Sequence, residues 1–529
     1  METIEQKTLP QVVINAADQY GDAIAIKQPH QQFTFAELNA LRINACRAFI
    51  AAGVEKGDRV AIWAPNVTEW VVAAIGLQSA GAILVPINTR LKGSEAAFAL
   101  NLSEAKLILT VNSFLGVNYP QLLADQDLPA LEKIILLPDP EPHHPAGQLS
   151  DNVISWSTFL SAAEAISPDF AEQRAASILP TDIMDIMFTS GTTGQPKAVM
   201  CSHGQNIQCF TDWGYNKGIR NNDNVLLLSP FFHSFGYKAG WLAGLINGFT
   251  VFPVLSFDLD KVLGQIDRDK ITVLDGTPTV FQSILAHPER KNYDLSSLRL
   301  SGIGGAPVSA ALVAKMKTEL GLEQVTTGYG LTETCGYVTG SRQHENPERV
   351  SNSSGCPIPG VEVKCIGLDG IEVPIGEAGE ICVRGYNVMQ GYYKNPEATA
   401  EVIDVDGWLH TGDIGILDQQ GYLKITGRIK DMIISGGFNV YPVEIENSLA
   451  NIEGVVQAAV VGIADERMGE VPKAYIVKAV DSDLQEQQVI DWCSTNMANY
   501  KVPRAVEFID AMPLNASGKI LKRELRQRF

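Results

Sequence analysis

The chain has 529 residues, too many for one hydrophobic core, so two or more domains are expected; 45% apolar and 19% charged residues make an ordinary globular composition. A formal net charge of −19 argues against nonspecific binding to nucleic acid or to an anionic membrane surface. It leaves room for anionic ligands held by local constellations. The acidity sits in the first 427 residues, because from Arg428 onward 12 Lys and Arg face 14 Asp and Glu, and the stretch from Lys501 is net basic.

In chain order, Leu38, Leu41, Ala45, Phe49 and Ala52 line one helical face. Val60 to Trp63 reads as a buried strand, Trp70 to Ala80 as a helix, and Ile83 to Val85 and Leu107 to Leu109 as strands again. This βαβα alternation predicts a largely parallel sheet covered by helices. Pro138 to Pro145, with His143 and His144, reads as a surface loop. A second alternating block runs from about Val225 to Thr326. From about Asn352 to Tyr422 short strands with frequent Gly and Pro predict a small β subdomain. The end of the chain reads as compact α+β, with Pro442 opening a helix and strands at Val455 to Val461 and Tyr475 to Val477.

The eight cysteines (46, 201, 209, 335, 356, 365, 382 and 493) form no Cys-x-x-Cys, and no histidine pair stands at helix or finger spacing. Neither a structural zinc nor a disulfide framework is indicated, and a reducing cytoplasm is expected. Met1 to Pro10 has no apolar core of a signal peptide, and no run approaches the length of a membrane span, so membrane contact is expected to be peripheral at most.

The most informative stretch is Thr189-Ser190-Gly191-Thr192-Thr193-Gly194-Gln195-Pro196-Lys197. Its hydroxyls, glycines and one ammonium suit gripping a polyphosphate, with backbone N–H groups turned toward the ligand. The spacing is not that of a P-loop, because Pro196 precedes the lysine and Ala198 to Met200 reads as a strand. With Ile183 to Phe188 also extended, the segment joins two strands; taken alone, a Ser/Thr/Gly cluster there is most often a plain turn. In Gly328 to Thr334, Tyr329 can stack a purine, Thr332 can donate to a phosphate and Glu333 can hold Mg2+, or the tyrosine is core beside a tight turn. Gly302 to Pro307 lacks the third glycine of a dinucleotide fingerprint; bare backbone against an adenine edge fits it better, a plain turn being the alternative. Asp413 and Arg428 can both bind ribose hydroxyls. In Ser435 to Asn439, Gly436 and Gly437 either let a ligand approach the backbone or end a strand.

Taken in order and over almost the whole length, these segments resemble the adenylate-forming superfamily, which includes acyl-CoA synthetases, peptide-synthetase adenylation domains and firefly luciferase. The resemblance implies that Thr189, Ser190, Gly191, Thr192, Thr193, Gly194 and Lys197 bind pyrophosphate, that Gly305 and Ala306 form the adenine wall and that Tyr329 stacks the base. It likewise implies Thr332 and Glu333 at phosphate and magnesium, Asp413 and Arg428 at ribose, His233 beside the substrate carboxyl, and Lys519 as the lysine of adenylate formation. Lys430 matches the hinge about which a small domain rotates between half-reactions. The implied fold is α/β: a large N-terminal domain, 1–427, with parallel βαβα sheets and a small β subdomain, plus a small mobile α+β C-terminal domain, 428–529. The implied partners are ATP, Mg2+, coenzyme A and a carboxylic acid.

Tyr237, Ala239, Gly240, Trp241, Cys335 and Gly336 offer an apolar pocket without a charged selector, favouring a hydrophobic acid. The segments around His233 and Gly436 look most like bacterial fatty-acyl-CoA ligases, and among them the branch acting on the bicyclic propanoate left by steroid-ring degradation. Competing readings are adenylation that loads a separate carrier protein, luciferase-like oxygenation, and a nucleotide-binding module without turnover.

Overall fold

The computed structural model describes residues 7–140, 152–189, 196–304, 308–436, 438–479, 482–514 and 520–528. Among these residues the first large sheet has a parallel centre, with Arg59–Trp63 between Ile83–Pro86 and Leu107–Val111, followed outward by Lys133–Leu137 and Val153–Ser155. All five residues of Leu107–Val111 are buried, as expected of a strand covered on both faces. The covering helix Phe35–Ala51 begins at a capping box: Thr34 Oγ1 accepts from Glu37 N while the Glu37 carboxylate accepts from Thr34 N. It crosses the helix Thr68–Ser79 at Gly76, where a Cβ would come within 2.4 Å of that of Ala45. Glycine lets these two helices touch.

The other side of that sheet is antiparallel. Ile183–Thr189 lies parallel to Ile83–Pro86 but antiparallel to Lys197–Ser202, which pairs in turn with Gly391–Tyr392. The hydroxyl-rich segment thus joins two strands, as read from the sequence.

The second large sheet runs parallel through Gln324–Tyr329, Leu300–Ile303, Val273–Leu274, Asn224–Leu227 and Thr250–Pro253. Its next strand is Ile24–Gln28, from near the start of the chain. The first third therefore supplies strands to both large sheets, because alternation fixes an element's type and not its partner. Val361–Ile366, Ala378–Gly385, Leu409–Leu417 and Leu423–Arg428 form the expected small β unit, a four-stranded antiparallel sheet. The C-terminal unit pairs Val455–Asp465 with Gly469–Lys478, adds Ile433–Ser435, Phe438–Val440 and Ala505–Phe508, and packs Pro442–Leu449 and Glu486–Asn496 around its own core of Ile433, Val440, Ile445, Leu449 and Val460. Among the described residues no helix is long and apolar enough to cross a membrane. Most of Pro138 to Pro145 lies outside the described residues.

Candidate active site

Thr189 and Lys197 face each other across the base of the antiparallel hairpin, where Thr189 Oγ1 donates to the Lys197 carbonyl at 3.5 Å. Ser190, Gly191, Thr192, Thr193 and Gly194, together with Gly305, Ala306, Gly437 and Lys519, lie outside the described residues. The flanks of Lys519 are described. Leu514 and Ile520 form an antiparallel bridge, and Leu521 N donates to the Pro513 carbonyl at 2.8 Å.

Strand Gln324–Tyr329 delivers Tyr329 at its C-terminal end, and a tight turn, Thr332–Thr334, follows. The turn closes through Gly336 N to the Leu331 carbonyl at 2.8 Å. Gly330 makes this possible, since a Cβ there would lie 2.3 Å from the Gly336 carbonyl oxygen. Tyr329 Oη donates to Asp413 Oδ2 at 2.7 Å, and Arg428 Nε donates to Asp413 Oδ1 at 2.9 Å. Burial, reinforced by the Asp413 carboxylate, pushes the Tyr329 phenol well above the ordinary tyrosine range, so it stays a donor. Asp413 and Arg428 are register partners on adjacent strands. Each carboxylate oxygen of Asp413 retains acceptor capacity, and the pair can take the two hydroxyls of a ribose.

The backbone that presents Asp413 is braced from behind. Gly412, at φ 68°, donates its N–H to Glu380 Oε1 at 3.0 Å, and Glu380 Oε2 lies 3.1 Å from His410 Nδ1. With Cys382 these residues place a ligand atom each within 4.8 Å of one another, the one such group among the described residues. Both Glu380 oxygens are already engaged, by the Gly412 N–H and the His410 ring, and so brace the strand that presents Asp413.

Glu333 and Lys197 meet around a residue that the sequence did not single out. Tyr392 Oη donates to Glu333 Oε1 at 3.0 Å, and Lys197 Nζ lies 4.7 Å from the centroid of the same ring. Burial and the Glu333 carboxylate push this phenol up as well. Thr332 joins the group through its carbonyl, which accepts from Cys201 Sγ at 3.9 Å on the lysine's own strand. Nothing in the sequence around Tyr392 signals the contact, since strand pairing creates it.

His233 caps the short turn Ser234–Gly236, its Nδ1 accepting from Phe235 N at 3.2 Å. A Cβ on Gly336 would lie 3.4 Å from that of Ser234, so this turn packs beside the Glu333 turn. The aromatic pocket is placed differently from expectation. Tyr237 and Trp241 stack on each other at 4.8 Å and are buried against Trp70, and a Cβ on Gly240 would meet Leu227 at 2.5 Å. Those residues are core, because the π-helix Tyr237–Leu242 turns them inward. Phe232 and Phe235, close to His233 in the chain, are half-buried.

Lys430 sits in the turn Ile429–Asp431 directly after the strand that ends at Arg428. It is exposed overall, while partial desolvation of its ammonium, then Arg428, holds it below the ordinary lysine range. Its neighbour Asp431 pairs with Arg526 at 2.8 Å, tying this turn to the last helix, Lys522–Arg526. Gly436 has φ 58° and donates its N–H to the Met468 carbonyl at 2.8 Å, so a hairpin turn requires glycine there. Beside it Phe438, 55% exposed, stacks on Tyr500 at 4.5 Å.

The described residues bring Lys197 and Glu333 to one tyrosine, Tyr392, and join Tyr329, Asp413 and Arg428 by hydrogen bonds. The AMP-binding enzyme profile matches residues 13–393 and the AMP-binding enzyme C-terminal domain profile matches residues 444–519, and the chain belongs to this family. It is 44% identical over 529 residues, 99% of each chain, to the 3-[(3aS,4S,7aS)-7a-methyl-1,5-dioxo-octahydro-1H-inden-4-yl]propanoyl:CoA ligase of Rhodococcus jostii (strain RHA1). Against the enzyme of the same name from Mycobacterium tuberculosis (strain ATCC 25618 / H37Rv) it is 43% identical over 521 residues, covering 98% of this chain and 99% of that one. Among solved structures it is similar to the anthranilate CoA ligase AuaEII in complex with anthranoyl-AMP, with a TM-score of 0.86 at 29% identity, covering 99% of this chain and 97% of that one. The protein is an AMP-forming acid–thiol ligase that uses ATP and CoA to convert a carboxylic acid, through acyl-AMP, to its acyl-CoA thioester.

Proposed function

We propose that the acid is a bulky alicyclic propanoate of the methyl-dioxo-octahydroindenyl type. The observation that carries this reading is the 44% identity across 99% of both chains with a ligase named for that acid. Half-buried Phe232 and Phe235, close to His233 in the chain, agree with an apolar acid. A panel of acids assayed for CoA-dependent pyrophosphate release tests the proposal. The bicyclic propanoate is expected to exceed straight-chain fatty acids in kcat/KM by about 10-fold or more, the scale that apolar pockets discriminate. A preference for long-chain fatty acids would contradict it.

The chemistry assigns the site residues their parts. A carboxylate is a poor electrophile, and joining it to AMP gives it a good leaving group. Its oxygen attacks the α-phosphorus of ATP while negative charge gathers on departing pyrophosphate, and the catalytic demand is in-line positioning and charge stabilisation. Lys197, the 189–194 segment and Lys519 supply that stabilisation; Thr332 donates to the phosphate, Asp413 and Arg428 hold the ribose, and Tyr329 stacks the adenine, with Gly305 and Ala306 as its wall. Glu333 is a hard carboxylate that would hold Mg2+, and Mg2+ there would neutralise polyphosphate charge. His233 orients the acid's carboxyl.

The second step needs a thiol channel where the first needs a lysine. We place the domain division at 427/428 and the rotation at Lys430, which brings Gly436 and Gly437 to the pantetheine arm. The separate core around Ile433 and Ile445 supports a C-terminal unit that moves as one body. CoA sulfur then attacks the acyl carbon, the acyl–phosphate bond breaks, and AMP leaves.

A further inference from the structure

Tyr392 is buried, 6% exposed, at the point where three segments far apart in sequence converge. Its strand, Gly391–Tyr392, lies against the lysine-bearing strand, with Val199 opposite Tyr392 and Tyr393 N donating to the Ala198 carbonyl at 2.7 Å. The preceding residues clasp the other side, Met389 N donating to the Glu333 carbonyl at 2.9 Å. The backbone of Tyr392 is itself pinned, its N–H donating to Thr399 Oγ1 at 2.9 Å. The ring is thus fixed by the sheet, and its two chemically distinct surfaces face opposite charges: the hydroxyl meets Glu333 and the π face meets Lys197.

Two opposite charges in one partly desolvated site attract strongly and, left alone, pair with each other. A direct Lys197–Glu333 bond would occupy the cation meant for phosphate and the carboxylate meant for a metal. The tyrosine satisfies both without joining them, since a ring face attracts an ammonium and a phenol donates to a carboxylate.

We propose that Tyr392 is a positioning residue of the adenylation step, which holds the Lys197 ammonium and the Glu333 carboxylate apart and aimed so that both are available to a metal-bound polyphosphate. This rests on the reading of Glu333 as metal ligand and Lys197 as pyrophosphate contact. Tyr392→Phe keeps the ring and removes the hydroxyl; Tyr392→Leu removes the spacer altogether.

Three readouts on the full-length enzyme test the proposal: Mg2+ titration of acid-dependent ATP–pyrophosphate exchange, Mn2+ binding in the presence of ATP by electron paramagnetic resonance, and thioester formation from presynthesised acyl-AMP. Tyr392→Phe is expected to raise the half-saturating metal concentration about 10-fold, the lower end of what a hydrogen bond to a charged group is worth, and to weaken Mn2+ binding in parallel. Tyr392→Leu should in addition lower the exchange rate by about 10-fold or more, while thioester formation from acyl-AMP stays within about twofold in both variants. Glu333→Gln, run beside them, tests the underlying reading separately. If it shifts the metal titration while both Tyr392 variants leave it unchanged, the positioning role is wrong and Glu333 stands. Equal losses in both half-reactions would reduce Tyr392 to a structural residue, and an unaltered titration in Glu333→Gln would remove the basis of the proposal altogether.

Discussion

Lys519 directly precedes Ile520 in the chain, and Ile520 bridges Leu514 just before the terminal helix Lys522–Arg526. Its assigned part is charge stabilisation during attack on the α-phosphorus and nothing thereafter. Lys519→Ala is therefore expected to slow acyl-AMP formation by on the order of 10²-fold, the usual effect of removing a preorganised charge partner, and to spare thioester formation from presynthesised acyl-AMP. Single-turnover measurement of each half-reaction checks this, and equal slowing of both contradicts it. At this scale the sequence was informative wherever chemistry is packed into a few consecutive residues. Asp413 and Arg428 were legible as polar residues in short glycine-containing motifs, and they are bonded partners at 2.9 Å. Tyr392 and Glu380 were not, because a tyrosine in a strand or a glutamate opposite a histidine acquires meaning only when pairing fixes its neighbours. Tyr237 and Trp241 misled for the converse reason: their composition suggested a pocket, and one turn of π-helix points them into the core.

Elements report on their own type and withhold their partners. The hairpin ending at Thr189 and restarting at Lys197 was readable from the apolar, extended runs on either side, whereas the pairing of Ile24–Gln28 with Thr250–Pro253 spans more than two hundred residues and leaves no local mark. Helix Leu9–Tyr20 is another long-range case. Its first residue donates its N–H to His203 Nδ1 at 3.2 Å, which fixes a buried neutral imidazole at the positive end of the helix. Burial lowers the His203 pKa to about 4 from an ordinary 6.5, with Asp182 opposing and Lys56 assisting the fall. The unfolded chain takes up this proton as pH drops through about 6.5 while the folded chain resists until about 4, so the stability present at neutral pH is lost across that window. The loss is on the order of 3 kcal/mol. Urea unfolding at pH 7 and pH 5 should show a lower midpoint at pH 5, and His203→Gln should flatten the difference. An equal pH response in that variant would contradict the assignment.

At the scale of the whole molecule, one chain must present two different faces of its C-terminal unit to one acyl group. Lys430 stands between Arg428, bonded to Asp413, and Asp431, bonded to Arg526 of the terminal helix. On the proposed reading the residues before it serve the nucleotide site and those after it the moving unit. Proline at 430 fixes φ near −65° and restricts Ile429, so the turn loses the freedom to change conformation. Lys430→Pro is expected to retain acid-dependent pyrophosphate exchange and to lose most CoA-dependent thioester formation, because gating and not bond-making is altered. Wild-type rates in both half-reactions would show that rotation at this residue is dispensable. The central claim, that the acid is activated as its adenylate before CoA takes part, is tested most directly by ATP–pyrophosphate exchange with the bicyclic propanoate in the complete absence of CoA. The account predicts exchange that requires the acid and ATP and is followed, on adding CoA, by equal amounts of AMP and acyl-CoA; no exchange until CoA is present, or release of ADP and phosphate, would contradict it.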